Sequence, residues 1–235
     1  MAAREELSKT VQCATCFVVA QNDGGLDLLT CAHTLQHVYR ARVPLSVAQI
    51  HQMFQPAVIC DHQENTYRSG LREDREYAPA TVLHVDCKKD LLLLHVRQDL
   101  ISDKTKQPCQ FPHRPLVPST HLPDPLETVV IVSWPPYMNR ATAKGQISHQ
   151  SRSYEDVSET NEYGYDMNLI EVDISVANGC SGAPLLDCDT NYIGLLHAAG
   201  LGCYSCFVSL SEIRAKLGKQ KASTSFHVLG VLTPP

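Results

Sequence analysis

Five prolines, at positions 112, 115, 118, 123 and 125, crowd the stretch Phe111 to Pro125 near the middle of the chain. Each fixes its own φ and lacks a backbone N–H, so the stretch is barred from helix and suits an extended crossover. The chain of 235 residues can bury roughly three quarters of its unfolded surface, as one domain or as two small ones. In the first half, the turn sequence N-D-G-G at Asn22 to Gly25 leads into an apolar run ending in L-T-C-A-H, so that His33 caps a strand. Farther on, Leu91 to Leu94 read as a fully buried strand, and Asp90 stands immediately before them.

The second half holds N-G-C-S-G-A-P-L-L, Asn178 to Leu186. Glycines on both sides of Ser181 suit a sharply turned, exposed nucleophile, and they let backbone N–H groups approach a substrate oxyanion. A hydroxyl attacks only when a base takes its proton, and His33 is the candidate base. Asp90, a carboxylate beside a core, needs a hydrogen-bonding partner, and an imidazole Nδ1–H is one that catalysis also wants. Taken singly, the glycine–serine run reads as a turn, His33 as a strand-end histidine and Asp90 as a strand-start residue. Asp86 is a fallback carboxylate, four residues before the leucine run, and Asp173 reads as a structural hydrogen-bonder near the nucleophile loop.

The order His, Asp, Ser, each at a strand or turn boundary, resembles the chymotrypsin-like serine peptidases, most of all their HtrA (Deg) branch. Ala14 to Val19 followed by L-L-T-C-A-H is similar to that family's first hairpin and histidine, and K-D-L-L-L-L to its aspartate and apolar strand. T-V-V-I-V-S-W-P at Thr128 and A-K-G-Q-I-S at Ala143 resemble strands opening its second barrel. N-L-I-E-V-D-I-S-V-A-N-G-C-S-G-A-P-L-L, Asn168 to Leu186, gives the nearest fit, and Tyr192 to Gly200 and Cys206 to Leu217 resemble the closing strands and terminal helix.

The resemblance implies an all-β fold of two antiparallel six-stranded β-barrels, the chymotrypsin-like double barrel, with a short C-terminal helix. Residues 8–110 then form the N-terminal barrel carrying His33 and Asp90, residues 111–126 the linker, residues 127–217 the C-terminal barrel carrying Ser181, and 218–235 a tail. It also implies acyl transfer on a polypeptide substrate, with an oxyanion hole from the Gly179 and Ser181 N–H groups. The alternative is a catalytically silent, protease-like scaffold that binds a protein partner.

The interval from His33 to Asp90 is longer than this family's first barrel usually has, which implies an insertion at about 34–80. Within it, Val43 to Phe54 suits a short helix with Ser46 as N-cap and Val47, Ile50 and Phe54 on one face. Arg68 to Glu76 is charge-dense and reads as a solvated loop, either an inert excursion or one that gates substrate. The tail segment F-H-V-L-G-V-L, Phe226 to Leu232, is apolar enough to add a strand, to its own barrel in preference to a partner's. The residues after Leu217 are too few for the PDZ domain that many HtrA-like proteins carry. The N-terminal residues hold two acidic side chains and no apolar run, so neither a secretory signal nor a membrane span is expected, and the setting is expected to be intracellular. A net charge of −5 without a long basic run makes nucleic acid an unsuitable main partner.

Ten cysteines without an export signal are expected as reduced thiols. Two pairs, Cys13 with Cys16 and Cys203 with Cys206, have C-x-x-C spacing, but the double-barrel arrangement separates them and strand geometry points each pair's sulfurs to opposite faces. Buried free thiols are the reading, with no metal and no cofactor. Cys180 rivals Ser181 as a nucleophile, yet the frame, with Gly179 two residues before Ser181 and Gly182 directly after it, favours the serine. In I-G-L-L-H-A-A-G, Ile193 to Gly200, His197 is set as in staphylococcal glutamyl endopeptidase and several viral main proteases, whose histidine hydrogen-bonds a Glu or Gln before the cleaved bond. The small Ala198 and Ala199 leave room for an extended peptide. A lone strand histidine also serves as a structural hydrogen-bonder. The positions matching a trypsin-like pocket base are Ser175 and Val176, without an acid.

Overall fold

The computed structural model of the protein describes residues 12–22, 24–63, 75–103, 105–135, 141–200, 204–217 and 228–233, the last as backbone alone. The N-terminal half folds as six antiparallel strands: β1 (Gln12–Asn22), β2 (Gly25–Thr30), β3 (Ala57–Ile59), β4 (Ala78–Asp86), β5 (Leu91–Arg97) and, from the far end of the chain, β12 (Val228–Thr233). Their order, β1-β12-β3-β4-β5-β2, closes on itself. The β1–β2 hairpin turns through Gly24 at φ +84°, which a residue with a Cβ adopts only at a cost. The leucine run forms β5 as the sequence suggested. Leu92, Leu94 and Val96 enter one buried cluster with Leu26 and Leu28 of β2, while Leu91 faces a second cluster shared with Leu29 and residues of the other half.

The apolar tail packs on its own chain. β12 runs antiparallel between β1 and β3, pairing Gly230 with Thr15 and with Ile59. Without it, β1 and β3 would both present open edges, which sheets avoid.

Between β2 and β4 lies the excursion implied by the long His33 to Asp90 interval. A 3-10 helix, Ala32–Val38, comes first. Helix α1 (Val47–Met53) follows, with Ser46 as N-cap: its Oγ accepts from the Gln49 N–H while the Gln49 side chain accepts from the Ser46 N–H. Ile50 is buried and Val47 and Phe54 lie partly buried against the same cluster, so one apolar face holds this short helix to the barrel. Of the charge-dense stretch Arg68 to Glu76, residues 68–74 lie outside the described residues.

The proline-rich linker contains no helix and runs mostly without regular structure until the turn at Pro125 and Leu126. It hydrogen-bonds both halves: the Leu116 N–H donates to the Val18 carbonyl, and Ser119 and Val117 pair with Tyr192. Beyond it come β6 (Thr128–Ser133), β7 (Ala141–Ser153), β8 (Asn168–Val172), β9 (Pro184–Leu186), β10 (Tyr192–Ala199) and β11 (Ser205–Ser209), in the order β10-β11-β8-β7-β6-β9. The three-residue β9 joins β6 to β10 through two pairs on one side and three on the other, as the three-residue β3 joins β4 to β12 through two and three in the first sheet. A single-turn helix α2 (Tyr154–Val157) and the C-terminal helix α3 (Leu210–Leu217) complete the second half. The fold is thus mostly β with a small C-terminal helix.

Candidate active site

Asp90 stands in the turn just before β5 in the left-handed region, at φ 55°, a conformation Asp tolerates better than most residues. This turn places its carboxylate in the interior, where the residue is fully buried. An isolated carboxylate there would cost several kcal/mol. Three donors compensate it: the His33 N–H at 2.6 Å on Oδ1, and His33 Nδ1 at 2.7 Å and His197 Nδ1 at 2.5 Å on Oδ2. Burial pushes the Asp90 carboxyl up, but the charges of and hydrogen bonds from the two histidines outweigh it and hold the group well below the usual carboxylate range. The converse holds at His33: burial pulls the imidazole down, while Asp90 and then Cys31 raise it well above its ordinary 6.5.

The Ser181 loop docks on β1 and on the end of β2. Thr15 N–H donates to the Ser181 carbonyl at 2.8 Å. The Thr15 hydroxyl donates to the Gly179 carbonyl at 2.9 Å and accepts from the Trp134 N–H, and the Thr30 hydroxyl donates to the Thr15 carbonyl at 2.7 Å. Gly182 carries φ +82°, and a Cβ there would fall 2.3 Å from both the Thr15 carbonyl and the Thr30 hydroxyl and 3.1 Å from the Cys31 nitrogen. The backbone just after Ser181 therefore lies against the strand end that delivers His33. Gly179 is also left-handed, at φ +93°. Among the described residues, neither the Gly179 nor the Ser181 N–H donates to a backbone carbonyl. Cys180 points the other way, its thiol donating to the Ser133 hydroxyl at 3.2 Å inside the second sheet. His33 Nε2 has the Cys31 sulfur at 3.6 Å, and no hydrogen bond joins it to Ser181 Oγ among the described residues.

His197 lies in β10, where the register with β11 shifts between Leu196 and Ala198. The extra residue of such a bulge is turned out of the alternating pattern, and here that turns His197 inward onto Asp90. Its ring sits edge-on to Tyr165 at 4.8 Å and to His33 at 5.4 Å. Tyr165 and Tyr39 share a hydrogen bond between their hydroxyls at 3.0 Å, and burial, followed by the Asp90 charge, pushes both phenols up, leaving a neutral wall around the carboxylate. His197 thus spends Nδ1 on Asp90. Ala198 is half-buried and Ala199 exposed at the end of the strand.

Asp86 stands outside this group, accepting from the Lys88 and Lys89 N–H groups and pairing with Lys216 at 2.7 Å. Asp173 accepts from the Gln146 N–H. Sequence reasoning did not single out Thr15 and Thr30, since buried threonines on strands carry no distinguishing pattern. Two clusters place three or more metal-ligand side chains together, His33 with Asp90 and His197, and Cys60 with His62, Cys109 and His113. In the first, hydrogen bonds to the carboxylate account for both imidazoles.

The family model of the trypsin-like peptidase domain matches residues 14–195. The chain belongs to the trypsin-like peptidase family. Among solved structures, the peptidase domain is similar in fold to Rv3671c from M. tuberculosis H37Rv, a serine-to-alanine variant in its inactive form, with 18% identity, TM-score 0.58, and 94% of this chain and 92% of that one covered. It is also similar to Deg5, at 15% identity and TM-score 0.56 over 92% and 93% of the two chains. The HtrA-type protease AlgW, with a decapeptide, matches at 18% identity and TM-score 0.53 over 86% of this chain and 50% of that one. No curated protein matches. These neighbours share the fold of the peptidase domain. No helix among its described residues is long and apolar enough to cross a membrane.

Proposed function

We propose that this peptidase domain is a serine endopeptidase that works through His33, Asp90 and Ser181. His33 takes the Ser181 proton as the hydroxyl attacks a peptide carbonyl. Asp90 holds the imidazole with Nε2 toward the serine and stabilises the imidazolium. The Gly179 and Ser181 N–H groups receive the oxyanion, each worth on the order of 3 kcal/mol of barrier. The imidazolium protonates the leaving amine, and water, activated by the same histidine, then releases the acyl group from Ser181.

The observation that carries this reading is the pairing of a fully buried carboxylate with His33, with the Ser181 loop docked through Gly182 onto the strand end just before that histidine. Recognition of Glu or Gln before the cleaved bond would fall to Nε2 of His197, with Ala198 and Ala199 leaving space for the peptide. A fluorophosphonate probe tests the chemistry directly, because it reacts only with an activated hydroxyl. Labelling at Ser181 is expected, lost in His33→Ala and in Ser181→Ala and retained in Cys180→Ala.

One observation favours a second reading, a silent scaffold that binds a protein partner: His33 Nε2 faces Cys31 rather than being hydrogen-bonded to Ser181. A folded protein that takes no probe at any pH supports that reading over the first. Profiling against a peptide library tests specificity, and cleavage confined to apolar residues would remove the assignment to His197.

A further inference from the structure

Where β3 ends, Cys60 and His62 meet Cys109 and His113 from the opening of the linker. The Cys60 sulfur lies 3.0 Å from His62 Nδ1, 3.0 Å from His113 Nε2 and 3.7 Å from the Cys109 sulfur, and the Cys109 sulfur lies 3.4 Å from His62 Nδ1. All four ligand atoms are within 4.8 Å of one another. We infer that these four side chains form a structural zinc site that clamps the exit of β3 to the start of the linker.

The separations approach those of a tetrahedron's edges. Zn–S and Zn–N bonds of ~2.3 and ~2.0–2.1 Å at the tetrahedral angle require S···S of about 3.8 Å and S···N of about 3.6 Å. The S···S edge and the Cys109–His62 edge meet this closely, and the two shorter edges from Cys60 need to open by about half an ångström, within reach of small side-chain rotations. A thiol has one proton, whereas the Cys60 sulfur is crowded by three potential ligand atoms at once. A cation shared among the four ligand atoms, which lie within 4.8 Å of one another, satisfies all of them.

The surroundings fit such an ion. The sulfur of Cys60 accepts from the His62 N–H at 3.3 Å, and Cys109 receives the equivalent backbone hydrogen bond from Phe111 two residues on. Paired N–H···S contacts of this kind stabilise thiolate ligands. Phe111 also stacks on His62, centroid to centroid 4.3 Å and 19° from parallel, which holds the ring plane. The Asp61 carboxylate, 3.3 Å from His62 Nδ1, adds negative charge beside the centre. Cys60, Cys109 and His113 are buried, so four protein ligands fill the coordination and leave no position for a reacting water, the mark of a structural rather than a catalytic zinc.

The C-x-x-C pairs that sequence spacing brought out are not the ones that converge. Cys13 and Cys16 sit on β1 and Cys206 on β11 of the other sheet, while Cys203 lies outside the described residues. The cluster instead joins a C-x-H to a C-x-x-x-H some fifty residues away, neither of which is conspicuous alone. Its place also explains its use. Gln63, next to His62, hydrogen-bonds Glu76 and Ser102 through its side chain, so a metal here would fix both ends of the 64–74 segment and the linker to one point.

The experiment is elemental analysis of the full chain purified under reducing conditions, with cobalt(II) substitution and thermal melts. Stoichiometric zinc, a thiolate-to-cobalt charge-transfer band and a lower Tm after chelation, restored by zinc, are expected. Cys109→Ser should abolish the cobalt band or shift it to a weakened one-thiolate form, whereas the control Cys188→Ser, at an exposed cysteine, keeps zinc and Tm. The cobalt titration on the unaltered chain keeps the inference testable even if Cys109→Ser fails to fold. A folded chain that stays free of zinc, gives no thiolate band with cobalt and melts unchanged in chelator overturns it, as does a Cys60–Cys109 disulfide found in protein kept reduced. None of these readouts depends on peptidase activity.

Discussion

Replacing His197 with leucine removes one of three donors from the Asp90 carboxylate while keeping most of the side-chain volume. A hydrogen bond to a charged group contributes about 1.5–3 kcal/mol, and because Asp90 is fully buried no water replaces the lost donor. His197→Leu should therefore lower the unfolding free energy by about that amount. It should also leave a more specific trace. The His197 bond to Asp90 is strongest while His33 is neutral and the carboxylate lacks a cationic partner, so losing it favours the protonated form of His33. If about half of the bond's worth is differential, roughly 1 kcal/mol, the His33 pKa rises by somewhat less than one unit. The assay is the second-order rate of fluorophosphonate labelling against pH. In the unaltered chain its ascending limb should lie above the ordinary histidine value of 6.5, as the upward shift of His33 requires, and in His197→Leu it should move higher still. His197→Gln, which keeps a donor, should bring it back. A limb that stays in place while stability falls would show that His197 supports the fold without positioning the triad, and unchanged stability as well would refute the account of Asp90.

Gly182→Ala forces a Cβ to 2.3 Å from two oxygens at φ +82°; a loss of about 2 kcal/mol or more is expected, together with loss of labelling, read by denaturant titration and probe gel. Asp90→Asn should cut labelling on the order of 10⁴-fold by disturbing the His33 tautomer and move the ascending limb downward, because the charge that raises His33 is gone. The same depressed carboxyl stabilises the fold above its ordinary value of 3.8 and loses that contribution as pH falls through its folded value, so urea titrations of Asp90→Asn should show a weaker loss of stability toward acid pH. Ser46→Ala removes the α1 cap and should cost about 1 kcal/mol with labelling unchanged, since the helix lies outside the proposed triad.

Much of the architecture was legible along the chain because it follows from local rules. The proline-rich stretch is barred from helix, four consecutive leucines need burial on both faces, and Ser46 suits an N-cap ahead of the apolar face of Val47, Ile50 and Phe54, so the linker, β5 and α1 lie where those rules put them. His33 and Asp90 were legible for a related reason: a charged or polar residue at the end of an apolar run must find a partner. The role of His197 was only half legible. Its presence on a strand could be read, but not the bulge that turns its Nδ1 onto Asp90, because a bulge is set by pairing with β11, eight residues or more away in sequence. Thr15 and Thr30, which seat the Ser181 loop, carried no signal of their own.

What the sequence alone determined is a set of obligations, namely which residues must be buried, extended, capped or partnered, since these arise from each residue and its near neighbours. Tertiary structure decided which partners meet those obligations. It closed the first barrel with a strand from the far end of the chain, and it chose Cys60, His62, Cys109 and His113 for one cluster over the pairs with the familiar spacing. Such choices depend on distances through space between segments far apart in the chain, which no local pattern encodes.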